Sequence, residues 1–139
     1  MGNAMKIAHG SLMVLILLFS GFSQARQVQP IVNIESPAIG ASGKKLTAEQ
    51  VRGVLASAAQ SQGWLVVTSK NGNFIISKSW MKHTITSEIK YTSSGYSIHY
   101  KDSINMNFTV ENGVPSIHPG YNKYVHALDG AIRNRLFAY

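Results

Sequence analysis

Residues 63–78 read Gly63-Trp64-Leu65-Val66-Val67-Thr68-Ser69-Lys70-Asn71-Gly72-Asn73-Phe74-Ile75-Ile76-Ser77-Lys78, and the hydrophobic period changes at the start of this stretch. Upstream of it, Val51, Val54, Leu55, Ala58 and Ala59 recur at three-and-four spacing, which draws one apolar stripe along a helix. Thr47-Ala48-Glu49-Gln50 has the form of a capping box, in which the Thr hydroxyl and the Gln side chain each accept from a backbone N–H at the helix start. Gly63 suits the left-handed residue that ends such a helix. From Trp64 onward the period is two. Trp64 to Ser69 and Asn73 to Lys78 read as strands joined at Asn71-Gly72, a pair that accepts the positive φ of a tight hairpin.

Working toward the C-terminus, His83 to Tyr91 sets Ile85, Ile89 and Tyr91 against Thr84, Thr86, Glu88 and Lys90, a third strand. Ser93-Ser94-Gly95 makes a turn, after which Tyr96, Ile98 and Tyr100 alternate with Ser97, His99 and Lys101 in a fourth strand that extends through Ile104, Met106 and Phe108. Pro119 fits the first turn of a helix, where its missing N–H costs nothing, and Tyr121, Val125, Leu128, Ile132 and Leu136 keep one helical face beyond it. The expected fold class is α+β: an N-terminal helix, a four-stranded antiparallel meander and a C-terminal helix, with both helices packed on one face of the sheet. Residues 26–45 hold Pro30, Pro37, Gly40 and Gly43 with little apolar periodicity, so they read as a flexible leader in which Val32 and Ile34 offer at most a short edge strand. Residues 46–139 then form a single domain.

The N-terminus carries one basic side chain, Lys6, ahead of an uncharged run from Ser11 to Phe22, and Ser23-Gln24-Ala25 places small residues where a signal peptidase reads them. The apolar run is shorter than the roughly 20 residues a spanning helix needs. Residues 1–25 are therefore expected to be a signal peptide, with cleavage after Ala25 and a periplasmic or secreted product. Lys6 stands where a myristoylation pattern wants Ser or Thr.

Thirteen Lys and Arg against six Asp and Glu give a net charge of +7, and there is no cysteine. Disulfides, thiolate metal sites and Cys nucleophiles are excluded, and a lipobox has no residue to carry its lipid. The only tight basic pairs are Lys44-Lys45 and Arg133-x-Arg135, a diffuse pattern that points away from nucleic acid. A solvated surface with no partner is the first reading of this charge, and an envelope protein or an anionic envelope component is the partner expected otherwise. A monomer is expected, with no transmembrane span once the leader is removed.

Several segments together carry a resemblance. Gly63-Trp64, His83-Thr84, Tyr96-Ser97-Ile98-x-Tyr100-x-x-Ser103-x-Asn105 and Ile117-His118-Pro119-x-Tyr121-Asn122, with Val125 and Leu128, resemble a family of small uncharacterised proteobacterial envelope proteins over roughly Val51 to Leu136. Many of those relatives look like lipoproteins with a Cys after the signal, a tether this chain does not share. Gly120 and Tyr124 depart from the family's tendency to Asn and Trp. The resemblance implies an envelope location and one domain, and implies no activity.

The residues with most to offer chemically lie in two segments. Tyr100, Asp102, Ser103, Asn105 and Asn107 mix donors and acceptors near a strand end, where an extended chain would present Ser103, Asn105 and Asn107 on one face. The other reading is that they bond neighbouring backbone where the sheet bends. His118, Tyr121 and Asn122 enter the last helix and either complete that polar surface, with helix N–H groups suited to an anion, or cap and pack. A hydrolase built from Ser103, Asp102 or Asp129, and His118 or His99 lacks a Gly-x-Ser-x-Gly elbow, and adjacent Asp102 and Ser103 would point to opposite faces of a strand. His83, His99, His118 and His126 are not spaced as metal ligands, so neither metal nor cofactor is expected. Of the aromatics Trp64, Trp80, Tyr91, Tyr96, Tyr100 and Phe108, most fall at alternating core positions, and Trp80, beside a turn, is the one open to solvent exposure.

Overall fold

The structure, a computed structural model, describes Gly2 and residues 27–139. The expected signal peptide, apart from Gly2, lies outside the described residues. The described residues are α+β, with two α-helices and eight strands divided between two antiparallel sheets. In chain order the elements are β1 (Gln29–Pro30), β2 (Ile34–Pro37), α1 (Ala48–Ser61), β3 (Leu65–Thr68), β4 (Phe74–Trp80), β5 (His83–Tyr91), β6 (Gly95–Ile104), β7 (Thr109–Glu111), β8 (Val114–Ile117) and α2 (Pro119–Leu136). The larger sheet has the order β2-β6-β5-β4-β3 and the smaller β1-β8-β7.

The capping box forms: Gln50 N–H donates to Thr47 Oγ1 at 3.1 Å and Thr47 N–H to Gln50 Oε1 at 3.0 Å. The buried side of α1 is the stripe Val51, Val54, Leu55, Ala58 and Ala59, and Gly63 closes the helix at φ 82°. Lys78 reaches back across the hairpin to donate to the Gln62 carbonyl at 2.7 Å, a fitting place for a cation beside helix-end carbonyls. In the β3–β4 turn only Gly72 takes a positive φ, 86°. Asn71 contributes its side chain instead, Oδ1 accepting from Asn73 N–H at 3.2 Å, while Ser69 N–H donates to the Asn73 carbonyl at 2.8 Å.

The single four-stranded meander is a misreading, for three physical reasons. First, residues 29–37 are not a flexible leader: Ile34–Pro37 pairs with β6 from Ile34↔Ile98 to Pro37↔Gly95, and Gln29–Pro30 pairs with β8. Second, β6 stops at Ile104, because Asn105 and Asn107 take left-handed φ of 56° and 55° and turn the chain around buried Met106. Asn is among the few residues that tolerate this conformation. Third, Asn112-Gly113, with φ of 50° and 77°, makes a tight turn between β7 and β8. Positive φ at both central residues is the pattern of a type I′ hairpin.

A bulge shapes β6. Thr86 pairs with Asp102 and the next residue, Ser87, with Tyr100, so Lys101 is the extra residue. The register reset brings Tyr100 and Ser103 to the same face, and their hydroxyls bond at 2.8 Å. The core joins the α1 stripe to Phe74, Ile76, Ile85, Ile89, Tyr96 and Ile98 of the larger sheet and to Tyr121, Val125, Leu128, Ile132 and Leu136 of α2. Arg52 of α1 donates to the Tyr91 hydroxyl and lies 4.7 Å from the Phe74 ring centroid. From α2, Tyr121 and Asp129 bond Ser87 and Tyr96 of the larger sheet. No helix among the described residues is long and apolar enough to cross a membrane.

Candidate functional site

The polar segment after Tyr100 is engaged with neighbouring backbone and side chains. Asn105 Nδ2 donates to the Lys82 carbonyl at 2.7 Å, and its own carbonyl accepts from His83 Nδ1 at 2.7 Å. This side chain therefore holds the β4–β5 turn against the end of β6. Asp102 Oδ1 accepts from Ser103 N–H at 2.8 Å. The extended ribbon presenting Ser103, Asn105 and Asn107 together does not form, since the left-handed residues break the period.

The residues of the last helix are likewise held. His118 caps α2 through Nδ1, which accepts from Gly120 N–H at 3.0 Å. That bond requires an unprotonated His118 Nδ1, whereas His83 donates through its Nδ1, and the two rings stack with centroids 6.5 Å apart. Tyr121 is wholly buried with its hydroxyl 2.8 Å from Ser87 Oγ, and burial pushes its phenol up to about 12 against the smaller lowering effect of that bond. Buried Asn122 accepts from Val32 N–H at 3.0 Å and donates to the Pro30 carbonyl at 2.9 Å. It is the latch of the N-terminal segment.

A second network, buried at Tyr96, Asp129 and Ser36 and exposed at Arg133, crosses from α2 to the sheet. Tyr96 donates to Asp129 Oδ1 at 2.5 Å, Arg133 Nε to Asp129 Oδ2 at 2.9 Å, and Arg133 to Ser36 Oγ at 2.9 Å. Burial, then the bond to Asp129, raises the Tyr96 phenol. Burial also raises that of Tyr100, partly exposed beside Phe108.

No hydrogen bond joins His118 to Ser103, Asp102 or Asp129 among the described residues. His99 instead meets Glu35 at the surface at 3.1 Å. No group of three or more histidine, aspartate or glutamate side chains among the described residues is placed to hold a metal ion. Trp80 is half-buried rather than open, packed 4.9 Å from Tyr124 and 5.3 Å from His83. Phe108 is the exposed aromatic of the set, at 47%.

The concavities lie elsewhere: one of about 270 Å³ beside Ser57, Arg135 and Tyr139, and two flanking the β5–β6 turn. One, of about 550 Å³, is a shallow groove rimmed by Glu35, Ser36, Lys90, Thr92, Ser94 and Ser97. The other, of about 400 Å³ and more enclosed, lies between residues 38–46 and Ser93-Ser94 and includes both Lys44 and Lys45. The basic pair is legible in the sequence; the cavity is not, because its far wall comes from a turn nearly 50 residues away. No family model, curated protein or solved structure matches the chain.

Proposed function

We propose that the protein is an exported, non-enzymatic binding module of the cell envelope, one α+β unit with both helices over one face of its larger sheet. The observation that carries the non-enzymatic reading is the fate of the reactive groups: the Ser103 hydroxyl, the Asp102 carboxylate and His118 Nδ1 are each bonded to local scaffolding and not to one another. A Ser-His-Asp hydrolase needs the opposite arrangement, with nucleophile, base and orienting acid in one chain of hydrogen bonds. The phenols that depart from their ordinary value all move up, so they stay neutral at physiological pH. Export is supported by the pattern of residues 1–25. Helix placement is supported by register: the Arg52 partners Phe74 and Tyr91 and the α2 partners Ser87 and Tyr96 fall at positions of one strand face.

The test is paired. Ser103→Ala and Asp102→Asn proteins should fold and leave any envelope phenotype unchanged, whereas loss of a hydrolytic activity in both with folding intact would favour the enzyme.

A structural subunit is the second reading, and the edge strand β3 favours it. Leu65 and Val67 on that strand are 65% and 53% exposed, and an apolar edge without Lys, Pro or a bulge is a template for strand addition. A concentration-independent monomer in sedimentation would remove it.

A further inference from the structure

We propose that the cavity between residues 38–46 and the β5–β6 turn is the binding site for a single-chain carboxylate amphiphile, its head held by Lys44 and Lys45 and its chain lying against Ala38, Ile39 and Leu46. This names a ligand class for the binding module above and rests on that reading for its biological place, though not for its chemistry.

The site is built from two stretches tied together by backbone. Ile39 and Lys45 form an isolated antiparallel bridge, and Gly40 N–H donates to the Lys44 carbonyl at 2.9 Å, so residues 39–45 close on themselves as a small loop. Ala38 N–H donates to the Ser94 carbonyl at 3.0 Å, which fixes that loop against the β5–β6 turn. The resulting cavity of about 400 Å³ is within the size range of small-ligand pockets, roughly 300–1,000 Å³. Ala38 and Leu46 are almost fully buried, and Ile39 is 51% exposed. An acyl chain covering Ile39 removes apolar surface from water that the fold itself leaves wet.

Charge selects the sign of the head. Lys44 and Lys45 both line the cavity, no carboxylate does, and neither ammonium has a hydrogen bond or ion pair among the described residues. Two adjacent cations without a counterion repel, and an anion between them relieves the repulsion. Lys70, Lys82, Lys101 and Lys123 are likewise without a side-chain partner among the described residues, and what sets Lys44 and Lys45 apart is that they are adjacent and line one cavity. Compact ammonium groups on flexible stems also act as point charges, adequate for a carboxylate without the planar fork that bidentate recognition uses.

The probes are dodecanoate below its micelle-forming concentration, dodecanol and acetate, titrated into the full-length protein and read by amide chemical shifts and calorimetry. Dodecanoate should bind with shifts centred on Ala38, Leu46 and Ser94. The Lys44→Gln/Lys45→Gln protein should bind it about tenfold more weakly, since each exposed charge pair contributes a few-fold. Both lysines are exposed, so the variant should keep the wild-type melting temperature. Dodecanol should bind at least about tenfold more weakly than dodecanoate, and acetate should give no saturable shift. Equal affinity for dodecanoate and dodecanol, affinity unchanged in the double variant, or shifts centred away from residues 38–46 and 93–94 would each overturn the proposal. These readouts do not depend on export, so failure of the site and failure of the envelope reading are told apart.

Discussion

Replacing Asn122 by Ala separates a structural latch from a ligand-binding side chain. In the folded protein Asn122 Oδ1 accepts from Val32 N–H and Nδ2 donates to the Pro30 carbonyl, with a longer contact of 3.4 Å to Gln29 Oε1. Alanine leaves a part-buried N–H and a part-buried carbonyl without protein partners. Each such loss costs about 1–3 kcal/mol, less where water can enter. Because both groups lie at or just after the end of the short β1 and are only part-buried, water should recover part of the loss, and a total of about 2–3 kcal/mol is expected. In a domain of this size that shifts the melting temperature by roughly 8–15 °C. Denaturant unfolding followed by tryptophan fluorescence gives the stability. Hydrogen exchange at Ile31 and Val32 locates it, with exchange there accelerated more than in Ile85 or Ile89 of the central strand. A variant as stable as the wild type, with slow exchange at Val32, would refute the latch and return Asn122 to the candidate binding residues.

Three further outcomes follow from the same bonds. Tyr121 has its phenol raised from 10 to about 12 by burial, so its neutral form is the one the fold favours. The stabilisation is complete below pH 10 and is lost as pH climbs from 10 toward 12, by about 2–3 kcal/mol for that shift; alkaline unfolding that begins below pH 9 would contradict it. Asn105 sits at φ 56° and bonds Lys82, so Asn105→Ala should cost about 1–3 kcal/mol in urea unfolding and Asn105→Gly less, since glycine escapes the left-handed penalty of about 1–2 kcal/mol; equal losses would remove the backbone argument. Trp64 is 3% exposed and its Nε1 has no hydrogen-bond partner among the described residues. Trp64→Phe, which discards that unpaired donor, should therefore cost under about 1.5 kcal/mol against the ~3–5 kcal/mol of a truncation to Ala, as measured by thermal unfolding.

The elements legible in the sequence are those whose hydrophobic period is carried by their own residues. The stripe of α1 and its capping box, the alternation of His83 to Tyr91, and the face of α2 are of this kind. Periodicity is blind to the sign of φ, however. Ile104, Met106 and Phe108 continue the alternation of β6 straight through two left-handed asparagines, and the expected strand runs on where the chain in fact turns. Ile34 does enter an edge strand, β2, but β1 escaped because what fixes it is remote: this two-residue strand is held by Asn122, some 90 residues later. Asn112-Gly113 carried the stronger hairpin signal, yet its flanking strands are three and four residues long and one holds Pro115. At Asn71-Gly72, by contrast, only the glycine takes the positive φ.

The candidate residues follow the same logic. Tyr100, Asp102, Ser103, Asn105, Asn107, His118, Tyr121 and Asn122 stand out in the sequence because polar groups cluster there, and clustering alone does not distinguish a site from a fold's internal bonding. The bulge at Lys101 and the cap at His118, with the bonds of Asp102, Asn105, Tyr121 and Asn122 to neighbouring groups, show most of them engaged within the fold. Lys44 and Lys45 draw attention only as a charge pair, and their cavity exists because Ser93 and Ser94 are folded against them.

The most direct test of the central claim is the intact mass and compartment of the protein recovered from its own cells. An exported envelope module predicts recovery in the osmotic-shock fraction with residues 1–25 removed and Arg26 at the N-terminus. Recovery of a chain beginning at Met1 in the cytosolic fraction would contradict it.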